Sequence, residues 1–417
     1  MAGHSYQAPR GTFDVLPEAA RVRRRIEHAA AAIFARAGYE PIATPSFEDT
    51  ELFERGVGHS TDIVRKEMFT FEDKGGRSLT LRPEGTAAIC RAYLEHGMHA
   101  LAQPVKLSYH GPFFRHERPQ AGRYRQFHQL GAEAIGTDSP LADAEAIGLL
   151  AELVAELGVP GVELRLGSLG SLEARAAYLE ELKAHLHAHQ GELAEGVRER
   201  IDANPLRAFD SDDEGTRAVM EAAPKLVERL EGEDAEHFGE VRSLLDAAGV
   251  AYTIDPTLVR GLDYYTRTIF SFVCDRLGAQ SEIGGGGRYD GLIEQLGGRP
   301  TPAVGWAAGI ERIALALDEE VAAPGRDVFV AVAGEERERR TLAMVLAGEL
   351  RKAGLSAELD LAGRGLKSQL KHADRIGARR VVILEEDGAA QLRDMRSGEQ
   401  RAVLTGNLIE EITGGEV

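Results

Sequence analysis

Residues 104–136 contain two runs in which apolar and polar residues alternate, VKLSYHGPFFRHE and YRQFHQLGAEAIG, joined by a polar loop around Pro119 and Gly122. Alternation at period two fits a half-buried strand, and two such runs across a polar loop read as an antiparallel hairpin. The turn is basic: between Arg115 and Arg125 there are four arginines and one glutamate, a net +3. Guanidinium groups are planar, permanently charged and forked, so they grip phosphate oxygens in pairs. On the returning strand Phe127 offers a flat face for a base, and Gln129 and Glu133 follow at strand spacing. An isolated charge run is ordinarily a solvated turn. Interleaving with aromatics favours a binding surface instead.

The 417 residues suggest about three domains at roughly 150 residues each. Ala19 to Gly38 reads as an amphipathic helix opened by Pro17, followed by the extended, proline-bracketed PIATPSFED. Residues 171–250 are rich in Ala, Leu, Glu and Arg with helical periodicity and read as a peripheral helical insertion. Strand signals return at YTIDPTLVR and YYTRTIFSFVC and pass into the glycine run IGGGGRYDG, and a helix spans Gly309 to Leu317. After Pro324 and Gly325 the pattern becomes strand–helix–strand, a separate small α/β domain. The expected divisions are a core in two pieces, 1–170 and 251–323, an insertion at 171–250, and a last domain at 324–417.

The glycine run Gly284–Gly287 lacks the Lys-Ser/Thr ending of a P-loop and the spacing of a dinucleotide fingerprint. It reads as a strand-to-turn backbone that a ligand approaches closely. His185, His187 and His189 alternate closely and are expected not to share a helical face, so a solvated surface is expected rather than a metal site. With only Cys90 and Cys274, neither a disulfide framework nor a zinc site is expected. No apolar run approaches the ~18 residues of a membrane span, and MAGHSYQAPRGTFD has no basic-then-apolar start. A cytoplasmic protein without a membrane partner is the expectation.

The net charge of −18 argues against nucleic acid until its distribution is read. Residues 171–255 carry 20 acidic and 9 basic groups, a balance of −11, whereas 364–380 carry six basic groups against one Asp. Lys367, Lys371 and Arg375 recur every four residues as one helical stripe. Binding responds to local potential more than to the sum, so RNA remains a possible partner.

FRHERPQAGRYRQFHQLG resembles the second signature motif of class II aminoacyl-tRNA synthetases in its histidine-specific form. LRPEGTAA at Leu81–Ala88 resembles that family's amino-acid-binding loop, and LVRGLDYYTRTIF at Leu258–Phe270 resembles its histidine-specific peptide. PAVGWAAGIERIALAL at Pro302–Leu317 resembles the third class II motif, and PRGTFDVLP and LKSQLKHADRIGARRVVIL also match. Several motifs in family order are far more specific than one. The resemblance implies an α+β fold: a class II antiparallel sheet flanked by helices, a helical insertion and a C-terminal α/β anticodon-binding domain. It implies a histidine–tRNA ligase using ATP, L-histidine and tRNA(His), with Mg2+ accompanying ATP, no metal held by a protein motif, and a homodimer whose first-motif surface falls near Ala19–Phe47.

Roles follow for matching positions. Arg115 would hold the α-phosphate, Arg312 the γ-phosphate, and Phe127 would stack on adenine. Glu84 and Thr86 would hold the α-amino group of histidine, with Gln129 close by. Glu133, Tyr264 and Tyr265 would line the imidazole pocket, with Tyr289 beside it. Of the two neighbouring tyrosines one would face away, if they sit on a strand. Arg260 would act at the reacting centre, and Arg118, Gln120 and Arg123 would meet the acceptor end of the tRNA. Physical chemistry agrees: carboxylate attack on ATP brings an anion to a polyanion, and pre-placed cations offset that charge best. Two rivals belong to other classes. One is an inert paralogue serving as regulatory subunit of ATP phosphoribosyltransferase. The other is a sensor of uncharged tRNA. The signature arginines, the histidine-specific peptide and the last domain count against the first, and the lack of a kinase segment against the second.

Overall fold

The computed structural model describes residues 6–413 apart from 60, 279, 280, 335 and 386–388. They form two compact units, divided between Val321 and Ala322. Among the described residues the first unit has the strands β1 (Glu40–Pro41), β2 (Phe47–Asp49), β3 (Phe69–Glu72), β4 (Ser78–Leu81), β5 (Val105–Phe114), β6 (Gln126–Ile135), β7 (Val162–Ser168), β8 (Thr253–Ile254), β9 (Thr266–Cys274), β10 (Glu282–Arg288) and β11 (Ala303–Gly309). Eight of them make one sheet in the order β1-β5-β6-β11-β10-β9-β7-β8, and β2-β4-β3 make a small one. The large sheet is antiparallel from β5 to β7, with parallel pairs only at its two edges.

The hairpin expected at 104–136 is present in full register, from Val105 opposite Ile135 to Phe114 opposite Gln126. Strand alternation gives the sheet two different faces. On one, Leu130, Ala132, Ala134, Trp306, Ala308, Phe270 and Phe272 pack against four helices, Pro17–Arg36, Pro140–Leu157, Gly232–Ala247 and Ile310–Leu317. The first helix buries Val22, Ile26, Ala30, Ile33 and Phe34, the spacing of a single apolar stripe. On the other face, Tyr109, Phe113, Ile135, Ile269 and three tyrosines gather with Ile89, Cys90 and Tyr93 of the helix Thr86–Glu95.

Three local expectations are revised. YTIDPTLVR is a strand only at Thr253–Ile254, and Tyr264 and Tyr265 lie just before β9, so strand alternation does not govern them. The glycine run is the middle of β10, not a strand-to-turn segment. His185 and His189, four apart, do share a face, with ring centres 4.6 Å apart, and His185 faces the carbonyl of Val219 at 3.0 Å.

Residues 171–250 are helical, with a small core of Tyr178, Leu182, Leu186, Leu206, Val219 and Met220. Their last helix sends Phe238, Val241 and Leu245 into the main core instead, so the segment is not peripheral along its whole length. The second unit adds β12 (Val328–Val332), β13 (Ala357–Leu359), β14 (Arg380–Leu384), β15 (Ala390–Asp394) and β16 (Gln400–Val403). The order is β13-β12-β14-β15-β16, parallel among the first three and antiparallel after that. The helix Arg337–Lys352 covers one face and Leu366–Arg375 the other.

Candidate active site

On the face opposite the helical layer, β6 presents Phe127, Gln129, Gly131 and Glu133 in alternate positions. Glu133 is fully buried. Thr86 donates its hydroxyl to one carboxylate oxygen at 2.8 Å and Tyr289 donates to the other at 2.6 Å. Burial pushes its pKa up to about 8, against the pull of those two hydroxyls and with a further push from Glu84. Opposite it on β11 stands Gly305, where any side chain would collide with the Glu133 carboxylate. Here glycine is required by space.

Glu84 lies just before the helix Thr86–Glu95 and accepts the backbone N–H groups of Thr86 at 2.7 Å and Ala87 at 2.9 Å. It thereby caps donors that the first turn leaves unpaired. Burial raises its pKa, with those bonds and Arg115 opposing. The rings of Tyr264 and Tyr265 are 4.6 Å apart, and Tyr264 meets Tyr289 edge-on at 5.7 Å. All three are buried. Under them the floor is β10, where a Cβ on Gly285 or Gly287 would press on the carbonyls of Phe270 and Thr268.

Among the described residues, the Oε1 of Gln129 and the hydroxyl of Tyr109 are buried without hydrogen-bond partners. A buried polar atom left unpaired costs about 1–3 kcal/mol, so these two atoms mark where a polar ligand would be received. Tyr109 was not singled out from the sequence. It alternates with Leu107 and Phe113 on β5 and reads there as an ordinary core position. Only its closeness to Gly85 and Gly131, where an added Cβ would press on its ring, distinguishes it.

The three arginines come from separate segments, as expected, and two are brought together by a residue the sequence did not flag. Glu282 accepts Arg260 Nη1 on its carboxylate at 2.6 Å and Arg312 Nε on its backbone carbonyl. Burial disfavours the Arg260 charge, but Glu282 and the neighbouring phenols more than offset this and its pKa is raised. For Arg312 burial prevails and lowers it, with Glu282 opposing. The Arg260 guanidinium also lies 5.8 Å from the centre of the Tyr265 ring. Arg115 donates to the carbonyl of Pro83 at 2.9 Å and lies 5.4 Å from the centre of the Phe127 ring.

Arg118, Gln120 and Arg123 are exposed on the hairpin turn, apart from the buried tyrosines. Gln120 and Arg123 exchange backbone bonds of 3.1 and 2.9 Å across Ala121 and Gly122. Gly122 has φ 74°, a conformation that glycine adopts at little cost. The turn folds back toward the helix Ile310–Leu317, leaving a cavity of about 180 Å³ lined by Ala121, Gly122, Arg276, Leu277, Arg312 and Leu315. Arg123 is held by Glu117 at 3.0 Å. A buried acid pocket walled by tyrosines thus borders an arginine cluster beneath a basic turn.

Comparison with known proteins gives the same outline. A family model described as histidyl-tRNA synthetase matches residues 11–313, and one described as an anticodon binding domain matches 327–414. A histidine–tRNA ligase of Halothermothrix orenii is 48% identical over 97% of this chain and 98% of its own. One from Thermosynechococcus vestitus is 47% identical over 97% and 96%. The apo S. aureus histidyl-tRNA synthetase superposes with a TM-score of 0.82 at 35% identity, covering 98% of this chain and 100% of the other. A Bacillus halodurans protein described as an ATP phosphoribosyltransferase regulatory subunit/histidyl-tRNA synthetase is more distant, with a TM-score of 0.66 at 25% identity, covering 91% and 98%.

Proposed function

The chain belongs to the histidyl-tRNA synthetase family, and from that membership we propose how its residues share the work of joining histidine to tRNA(His). The activity is that of an ATP-dependent histidine–tRNA ligase. Histidine and ATP give histidyl-adenylate and pyrophosphate, and the terminal ribose hydroxyl then takes the histidyl group and releases AMP.

The observation that carries the residue assignment is the Thr86–Glu133–Tyr289 triad inside a tyrosine-walled pocket. Glu133 accepts the imidazole N–H, and Tyr264, Tyr265 and Tyr289 enclose the ring. Such a buried acceptor discriminates strongly, since an analogue lacking the N–H leaves it unpaired. Glu84, Thr86 and Gln129 take the α-amino end. Arg115 and Arg260 neutralise the α-phosphate as it is attacked, Arg312 the γ-phosphate, and Phe127 stacks on adenine once Arg115 turns to the phosphates. Arg118, Gln120 and Arg123 receive the acceptor end.

Among the described residues no group of three or more His, Cys, Asp or Glu could hold a metal by itself. A magnesium ion that keeps waters and phosphate oxygens as ligands needs only one or two carboxylates. Glu282, with 44% of its side chain exposed beside Arg260 and Arg312, fits that need. When bound, the ion would add positive charge to the triphosphate.

A homodimer is the proposed assembly. Phe47, which ends the segment Ala19–Phe47, and Phe71 are exposed on the small sheet with rings 6.2 Å apart. No described helix is long and apolar enough to cross a membrane, and action in the cytoplasm is proposed from the family. The deciding experiment is ATP–pyrophosphate exchange with each amino acid in turn, on the natural chain and on Arg260→His. Histidine alone should drive exchange, and Arg260→His should depress kcat far more than it raises the KM for histidine. Near-normal exchange by that variant would refute the role of Arg260.

A further inference from the structure

The peptide that carries Tyr264 and Tyr265 has no strand of its own between Ile254 and Thr266. Its shape must come from elsewhere, and the helical insertion supplies much of it. Arg175, in the first turns of the helix Leu172–Ala188, donates Nη1 to the carbonyl of Asp263 at 3.2 Å and to that of Tyr265 at 2.9 Å. These two acceptors bracket Tyr264. Burial pulls the pKa of Arg175 down, with Asp263 opposing. A half-buried guanidinium donating to two backbone carbonyls is costlier to place than an ordinary surface cation.

Two further links tie the insertion to other parts of the core, at Arg267 on β9 and at Asp62. Asp234, in the first turn of the helix Gly232–Ala247, accepts Arg267 Nε at 3.1 Å and the backbone N–H of Ser171 at 2.8 Å. Arg267 has φ 44°, a conformation that L side chains rarely adopt. Its backbone is fixed by bonds of 2.7 Å to Gly170 and from Leu169. Asp62, on the segment leading into the short helix Ile63–Glu67, pairs with Arg200 and Arg207 of the insertion, each at 3.4 Å. Val259 packs against the core of the insertion.

We propose that the insertion sets the geometry of the histidine pocket, with Arg175 as the positioning residue that fixes Tyr264 and Tyr265 through their backbone. This rests on the reading of those tyrosines as pocket walls. Arg175 touches no substrate and acts only through the carbonyls of 263 and 265. Its removal frees the tyrosine pair while leaving Arg115, Arg312 and Phe127, which lie on other segments, in place.

The test uses the full chain with Arg175→Ala, Arg175→Lys and, as a control on the exposed side of the same helix, Glu173→Ala. Pyrophosphate exchange is measured with histidine and ATP varied separately, alongside thermal unfolding. Loss of hydrogen bonds to a charged donor predicts a KM for histidine raised on the order of tenfold or more in Arg175→Ala. The KM for ATP should change by less than about twofold, since Arg115, Arg312 and Phe127 are held by other segments. Arg175→Lys, which keeps a cationic donor without the fork, should fall between, and Glu173→Ala should match the natural chain. If Arg175→Ala does not fold, the same criterion is applied to Arg175→Lys. An unchanged KM for histidine, or equal rises for histidine and ATP, would overturn the proposal. Failure of histidine to drive exchange in the natural chain would instead overturn the pocket reading and this inference with it, so the unmutated protein separates the two failures.

Discussion

Glu133 is fully buried and its pKa is pushed up to about 8, so folding takes up a proton there that the unfolded chain, near 4.5, releases. Between those two values the folded state binds more protons, and stability falls as pH rises. The contribution is complete below about 4.5 and lost as pH passes through about 8; its ceiling is on the order of 5 kcal/mol. Glu133→Gln keeps the shape and cannot titrate. Its melting temperature should therefore fall less between pH 5 and 8.5 than that of the natural chain. Parallel curves would show that Glu133 does not titrate as its burial requires. This residue was legible from its place in a motif. Tyr289 was placed beside it and Thr86 with Glu84, but no sequence pattern marked both hydroxyls as donors to its carboxylate. Tyr109 and Glu282 were not legible at all, because one matches a core alternation and the other acts partly through its backbone carbonyl.

At the scale of the element, the hairpin was readable because two ten-residue strands must show period two when one face is packed. The tyrosine pair was misread as strand because aromatic and β-branched neighbours imitate one, while the conformation there is set by a bond from Arg175, 90 residues away in sequence. The glycine run was misplaced for a related reason. Glycine weakens a strand in isolation, but here neighbouring strands approach so closely that nothing larger fits. The turn between β5 and β6 carries a prediction of its own. Gln120 is exposed at its tip, where its backbone is bonded to that of Arg123. Gln120→Ala should slow transfer to tRNA severalfold while leaving pyrophosphate exchange near normal, since the two steps share the site and differ in the RNA. Equal losses in single-turnover transfer and in exchange would assign the turn to ATP.

At the scale of the whole molecule, a protein of net charge −18 must bind a polyanion through local surfaces. Lys367, Lys371 and Arg375 are exposed along one helix of the second unit, and that unit is compact by itself. Each phosphate neutralised contributes about −0.9 to −0.7 to the slope of log affinity against log salt. Deleting residues 322–417 should weaken tRNA binding and flatten that slope, whereas histidine-dependent exchange should survive in part. The same affinity and slope in the shortened chain would remove the second unit from tRNA recognition. The two-faced sheet of the first unit has a different kind of consequence. Along β6, Leu130, Ala132 and Ala134 look into the helical layer while Phe127, Gln129 and Glu133 look into the pocket. A substitution scan read residue by residue down that strand would therefore spell two interleaved messages, abundance at one parity and turnover at the other, and a frame slip of a single position would exchange them.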